Sequence, residues 1–361
     1  MAFATLLGMK PLLVMIGLLF SALGCAYGQW QMEDSTSKAG LRGIDAVNGA
    51  VAWASGTDGT VLRTEDSGYV WQRCAIPQGA EHLDFRAIQG FDNNTALVMS
   101  SGKGDLSRIY KTTDGCHSWK LVFTNPDVDG FWDAMRFNAR GSNFGALIGD
   151  PVDGRFALFY TKDAGEHWTR WGRIASRDGE SLFAASNSAW EFVPGGAVFV
   201  TGGQSGSRAI REKAKAWSLH AKLLYGGIPL GAGESSGAFS VATSTVDGAL
   251  HFVAVGGDYT KPERREQTAA WSDDGVNWTE SQTKPGGYRS AVAYDAATKA
   301  WICVGPNGTD FSTDGGRNWR PLKPAKHDES DADRGWNALS LPFVVGVKGR
   351  IGKLEISNIA D

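Results

Sequence analysis

The sequence predicts an all-β protein, a seven-bladed β-propeller whose last blade is completed by a strand from the N-terminus. Three observations predict it. A turn of the form Ser/Thr-x-Asp-x-Gly-x-x-Trp occurs in full at 64–71, 161–168 and 312–319. It recurs with Cys116 for the Gly at 112–119 and with Trp271 for the Ser at 271–278. A second pattern recurs seven times: Leu41-Arg42-Gly43-Ile44, Phe85-Arg86-Ala87-Ile88, Trp132-Asp133-Ala134-Met135, Leu182-Phe183-Ala184-Ala185, Ala238-Phe239-Ser240-Val241, Tyr288-Arg289-Ser290-Ala291 and Trp336-Asn337-Ala338-Leu339. Finally, 47 Gly and 14 Trp among 361 residues suit many tight turns with one large aromatic per unit. Short strands repeating at roughly 44 to 56 residues are the signature of propeller blades.

Each element has a mechanical reason. The Asp of the turn accepts hydrogen bonds from backbone N–H groups just after it, so Asp66, Asp114, Asp163, Asp273 and Asp314 are expected to be structural. The Gly supplies a left-handed conformation, and the Trp starts the outer strand and returns apolar surface to the core. The seven-fold quartet is expected to be the innermost strand of each blade, its small third residue fitting the crowded axis. A second strand follows at 51–55, 96–100, 145–148, 198–201, 252–255, 301–304 and 344–347.

In chain order, residues 1–28 form an export signal, with Lys10 ahead of an apolar run at 12–23. Two cleavage sites compete: Ala22-Leu23-Gly24-Cys25, which resembles a lipobox and would leave a lipid on Cys25, and Ala26-Tyr27-Gly28 ahead of Gln29. Either places the folded part, 29–361, outside the cytoplasm, as a periplasmic, secreted or lipid-anchored protein, and lipid on Cys25 would be its only hold on a membrane. The remaining Cys74, Cys116 and Cys303 cannot all pair internally, and buried small hydrophobes are expected in preference to a Cys74–Cys116 bridge. The fourth unit lacks the Asp and Gly of the turn; there Trp217 keeps the aromatic place, and its basic residues read as a solvated face. The last unit, 335–357, lacks a fourth strand, which residues 30–34 should supply, closing the ring and removing open edges.

Composition excludes several classes. Thirty-six basic and 39 acidic residues, net −3, give no reason to propose nucleic acid as a partner. No phosphate or dinucleotide loop appears, so no cofactor is expected. Asn125, Asp127 and Asp129 resemble the start of a calcium loop, but Arg136 stands where a bidentate Glu is needed, and no metal is expected.

The Asp-turn resembles the Asp-box, or bacterial neuraminidase repeat. A wider set resembles bacterial relatives of the photosystem II stability and assembly factor family: Asp129-Gly130-Phe131-Trp132-Asp133-Ala134, Gly149-Asp150-Pro151-Val152-Asp153-Gly154-Arg155-Phe156, Phe183-Ala184-Ala185-Ser186-Asn187, Val255-Gly256-Gly257-Asp258-Tyr259, Gly287-Tyr288-Arg289-Ser290 and Val304-Gly305-Pro306-Asn307-Gly308-Thr309-Asp310. This resemblance, over about residues 41–320, implies an exported scaffold that binds a protein or peptide and does no chemistry of its own.

Propeller geometry puts the Asp-turns on one face and the starts of the inner strands on the other. The second face is expected to gather Arg42, Arg86, Asp133, Asp150, Arg155, Asp258, Tyr259 and Arg289, with Asp58 and Asp153, as a partner-binding cluster. The alternative is a sialidase-like glycoside hydrolase or carbohydrate-binding propeller, with Tyr288 beside Arg289 as nucleophile. Asn187 stands where its activating Glu would be expected.

Overall fold

The computed structural model describes residues 29–139, 141–172, 174–213, 222–246 and 248–356. Residues 1–28, expected to form an export signal with a lipobox, and Trp217 lie outside the described residues. Seven antiparallel sheets follow one another along the chain. We name them blades 1 to 7, each with strands A (innermost) to D (outermost).

The inner strands are Leu41–Ala46, Phe85–Gly90, Trp132–Phe137, Trp190–Val193, Gly233–Val246, Ala291–Asp295 and Trp336–Ser340. Buried residues of adjacent blades share apolar clusters, as where Leu62 and Trp71 of blade 1 pack with Phe343 and Val345 of blade 7. The small third residue of the quartet is required by crowding at the axis: a Cβ on Gly43 would collide with the Ser55 hydroxyl.

The ring closes as the sequence predicts. Strand Trp30–Glu33 pairs antiparallel with Ile351–Leu354, Trp30 opposite Leu354 and Glu33 opposite Ile351. Trp30 is buried and stacks on Trp336, ring centroids 5.7 Å apart. The sequence separates these rings by almost the whole chain, so this contact joins its two ends.

The Asp-turns follow one pattern. Thr64 Oγ1 donates to Asp66 Oδ1 at 2.8 Å and accepts from the Gly68 N–H at 3.0 Å, while Asp66 Oδ1 accepts from Val70 N–H at 2.9 Å. The turns at 112–119, 161–168 and 312–319 repeat this. The turn of blade 5 departs from the expected register. Ser272 and Asp274, not Trp271 and Asp273, fill the two roles: Ser272 Oγ donates to Asp274 Oδ1 at 3.0 Å and Asp274 accepts from Asn277 N–H at 2.7 Å. Asp273 instead meets His251 Nδ1 at 2.6 Å. A Ser one residue later than the template lets the loop tighten by one residue.

Two further expectations are overturned. Cys74 and Cys116 are disulfide-bonded, Cα atoms 5.2 Å apart, leaving Cys303 free and buried. The turn of blade 2 lies against the outer strand of blade 1, where Ala75 N–H donates to Cys116 O at 3.1 Å. Cys116 takes the Gly position of the turn with φ 66°, which aims its sulfur at Cys74. The quartet Leu182-Phe183-Ala184-Ala185 is not the inner strand of blade 4, which starts eight residues later at Trp190.

Candidate functional site

Five of the inner strands carry a β-bulge at the same place. The register with strand B skips between Leu41 and Gly43, Phe85 and Ala87, Trp132 and Ala134, Ala238 and Ser240, and Trp336 and Ala338. The skipped residues are Arg42, Arg86, Asp133, Phe239 and Asn337. A bulge leaves one residue out of the ladder and re-aims its side chain. All five line one cavity of about 480 Å³ at the channel mouth.

Residues 182–188 close that cavity from below by spanning the channel. Arg86 Nη1, from blade 2, donates to Ala184 O at 3.2 Å, and Asn187 Oδ1 accepts from Met135 N–H of blade 3 at 2.8 Å. Ser186 Oγ donates to Ser290 O ahead of blade 6 at 2.7 Å, and Ser188 Oγ to Ser240 Oγ of blade 5 at 2.7 Å. The segment therefore ties four blades to one another. Ala184 and Ala185 face the mouth cavity, while Ser186 and Asn187 line a far smaller one beneath, beside Asp45, Gln89 and Arg136. Its start is anchored by Glu180, whose buried carboxylate meets Arg208 Nε at 2.6 Å and the Thr201 hydroxyl at 2.6 Å.

The mouth holds charges of both signs. Asp84 Oδ2 accepts from Arg86 Nε at 2.8 Å and lies 3.6 Å from Arg42 Nε. Burial, and then the neighbouring Arg86, lower the pKa of Arg42. Asp133 and Asp150, from the neighbouring blade 3, line the same cavity beside Arg86. Burial and then the charge of Asp150 push Asp133 well up, against the weaker pull of Arg86. Burial raises Asp150 to about 6, although its Oδ1 accepts from Leu182 N–H at 2.8 Å. The plug and blades 5 and 6 add an aromatic wall: Phe183 stacks on Phe239 at 4.0 Å, and Phe239 meets Tyr288 edge-on at 4.8 Å and Tyr259 at 6.1 Å.

The structure thus brings together Arg42, Arg86, Asp133, Asp150 and Tyr259, with Tyr288. It leaves five expected residues out. Arg289 is buried within blade 6, its Nε donating to Asp310 Oδ2 at 2.8 Å and its Nη1 to Asn307 Oδ1 at 2.6 Å. Blade 6 lacks the bulge, its register with strand B running without a shift from Ala291 opposite Val304, and Tyr288 lines the cavity in place of Arg289. Asp258 is buried in its own loop, accepting from the hydroxyls of Ser235 at 2.8 Å and Thr260 at 2.6 Å. Arg155 is exposed on the B–C hairpin of blade 3, away from the cavity. Asp58 and Asp153 occupy left-handed turns, φ 57° and 53°, likewise outside it. Phe183, Phe239 and Asn337 were not expected at the mouth, although each is the second residue of its quartet, the same signal that located Arg42, Arg86 and Asp133.

No group of His, Cys, Asp and Glu among the described residues could hold a metal ion. Asp127, in the calcium-like segment, is held by Arg170 at 2.6 Å. No described helix is long and apolar enough to cross a membrane.

Seven antiparallel sheets, a ring closed by the N-terminal strand and a plugged, charged mouth define a β-propeller built around one recessed site. The family model described as photosynthesis system II assembly factor YCF48 matches residues 24–224, more than half of the chain, and the chain belongs to that family. Among curated proteins it is similar to the chloroplastic photosystem II stability/assembly factor HCF136 of Arabidopsis thaliana, 26% identical, covering 77% of this chain and 76% of the relative. Among solved structures it is similar in fold to YCF48 bound to D1 peptide, with TM-score 0.61, 18% identity, and coverage of 91% of this chain and 97% of that one. It is also similar to YCF48 from Cyanidioschyzon merolae, with TM-score 0.60, 18% identity, and coverage of 91% and 100%.

Proposed function

We propose that the chain is an exported assembly scaffold that holds a segment of another protein at the channel mouth and does no chemistry of its own. The observation that carries this is the recessed cavity itself: about 480 Å³, open at one end, plugged at the other, and lined by guanidinium, carboxylate and aromatic groups. Such a site suits an extended segment that presents both polar and apolar side chains. The relative solved with a D1 peptide supports a peptide as the class of ligand. Export is supported by the Cys74–Cys116 disulfide, since such bonds persist outside the reducing cytoplasm.

The glycosidase alternative is disfavoured by Tyr288. Burial drives its phenol pKa upward, and Arg42 offsets this only in part. A nucleophile needs the opposite shift.

A photo-crosslinking side chain at Tyr259, on the exposed rim, tests the reading in native membranes. The expected result is a discrete protein adduct that Arg86→Ala depletes. Adducts formed only from a crosslinker at Tyr69, on the Asp-turn face, would overturn it.

A further inference from the structure

Within the mouth, Arg42 Nε and Asp84 Oδ1 lack a hydrogen bond, but those side chains share an ion pair, and Asp84 also partners Arg86. Neither Asp133 nor Asp150 has an ion pair among the described residues. Asp133 is only 1% exposed, yet its Oδ2 has no hydrogen-bond partner. Burying a carboxylate without a partner costs several kcal/mol unless it takes up a proton or a counter-charge arrives.

The surroundings narrow what could arrive. The plug makes the cavity a dead end, so what enters is a side chain or a chain terminus and not a through-running strand. The stacked Phe183 and Phe239, with the edges of Tyr259 and Tyr288, offer an apolar and π-rich path. Aromatic faces beside carboxylates suit an alkyl chain that ends in a cation.

We propose that Asp133 and Asp150 form a cation subsite that takes an organic ammonium group, from a lysine side chain or a free amino terminus of the segment held at the mouth. This rests on the mouth being the binding site. The ammonium donates to the two carboxylates and completes a charge pattern in which Arg42 and Arg86, already tempered by Asp84, face the remainder of the segment. Arg86 acts directly on Asp133, and Arg42, Tyr259 and Tyr288 line the same cavity, with Asp84 beyond them on the two guanidinium groups. Of the pair, Asp150 changes charge close to neutral pH, being raised by burial to about 6. A cation binds the ionised pair, so affinity falls as pH drops through 6.

Saturation-transfer NMR on the mature chain tests this with small probes. N-acetyl-lysine methylamide represents the side chain and glycine methylamide the amino terminus. N-acetyl-norleucine methylamide is the uncharged control, and N-acetylglycine reads the arginine side. At pH 7.5 one ammonium probe should bind at least about tenfold more tightly than the control. It should weaken roughly tenfold at pH 5 and be lost in both Asp133→Asn and Asp150→Asn. Melting temperatures of the two variants should stay level or rise, since each removes an unpaired buried charge. Ammonium binding no better than norleucine, or surviving both substitutions, overturns the subsite. If N-acetylglycine then still binds and Arg86→Ala abolishes it, the mouth reading stands alone; if every probe fails, both readings fall.

Discussion

At the Asp-turn face, Asp114 is held at about 2 by the Ser118 hydroxyl and backbone N–H and by the Thr112 hydroxyl. At Asp163 and Asp274 burial pulls upward, but the donors of His167, and of Asn277 and Val276, outweigh it, again to about 2. At the channel mouth the same residue type behaves oppositely: burial lifts Asp150 to about 6 and pushes Asp133 well above its ordinary value. The difference is one of burial first and of donors second. Each turn closes several N–H and O–H groups around its carboxylate, whereas Asp150 accepts one backbone N–H and Asp133 Oδ2 accepts none. Repetition marks the face whose acids are satisfied from within the chain. Variation from blade to blade marks the face whose acids await something from outside.

The contrast presupposes a rigid ring, and the closing strand is where to break it. Trp30 is 5% exposed and packs in one cluster with Trp336, Leu322 and Leu354. Trp30→Ala should cost about 3–5 kcal/mol, and deletion of 29–34 more, by urea denaturation monitored by fluorescence. An unchanged midpoint for the deletion would mean that the ring does not depend on its N-terminal strand. The Cys74–Cys116 bridge comes next. It spans 42 residues, and chain-entropy reasoning assigns such a loop about 3–4 kcal/mol. Cys74→Ser with Cys116→Ser should lower the midpoint accordingly, while Cys303→Ser, at a buried and unpaired thiol, should not reproduce that loss.

Architecture was legible because strand spacing and the Asp-turn are local signals. Within the quartets, the mouth was legible only where a charged residue filled the second place. Arg42, Arg86 and Asp133 stood out there; Phe239 and Asn337 did not, although the same bulge presents them. Arg289 stood out and misled, because blade 6 lacks the bulge that presents the second place of the quartet, and its guanidinium turns inward to Asp310. The plug was hidden more deeply. Leu182-Phe183-Ala184-Ala185 has the composition of an inner strand, and only its long-range partners, Arg86, Met135 and Ser290, reveal that it crosses the channel. The disulfide was missed for a related reason, since its sulfurs meet between blades.

The opposed acids predict opposed responses to pH. At the mouth the folded state holds protons more tightly than the unfolded chain, so stability is gained as pH falls through the raised values. Glu191 behaves likewise: burial raises it to about 7, against Arg136 and Thr243. From pH 7 to pH 5, Asp150 alone should contribute about 1 kcal/mol of added stability. Asp150→Asn should flatten that rise. The Asp-turn acids have depressed values, so their contribution is complete above the unfolded pKa and is lost as pH falls from about 4 toward 2. A melting temperature that declined steadily from pH 7 to pH 5 would contradict the sign assigned to the mouth.

The smallest effect separates two neighbouring aspartates. Asp274 accepts from Ser272 Oγ, Val276 N–H and Asn277 N–H, so Asp274→Ala strands two backbone donors in the blade 5 turn. Asp273, in contact with His251 Nδ1 at 2.6 Å and 66% exposed, supports no backbone group. A surface pair of that kind contributes little. Asp274→Ala should therefore lower the melting temperature measurably and Asp273→Ala should leave it nearly level. The reverse order would restore the register suggested by spacing to Trp278 alone. It would also mean that the hydroxyl of the preceding Ser does not select which aspartate closes the turn.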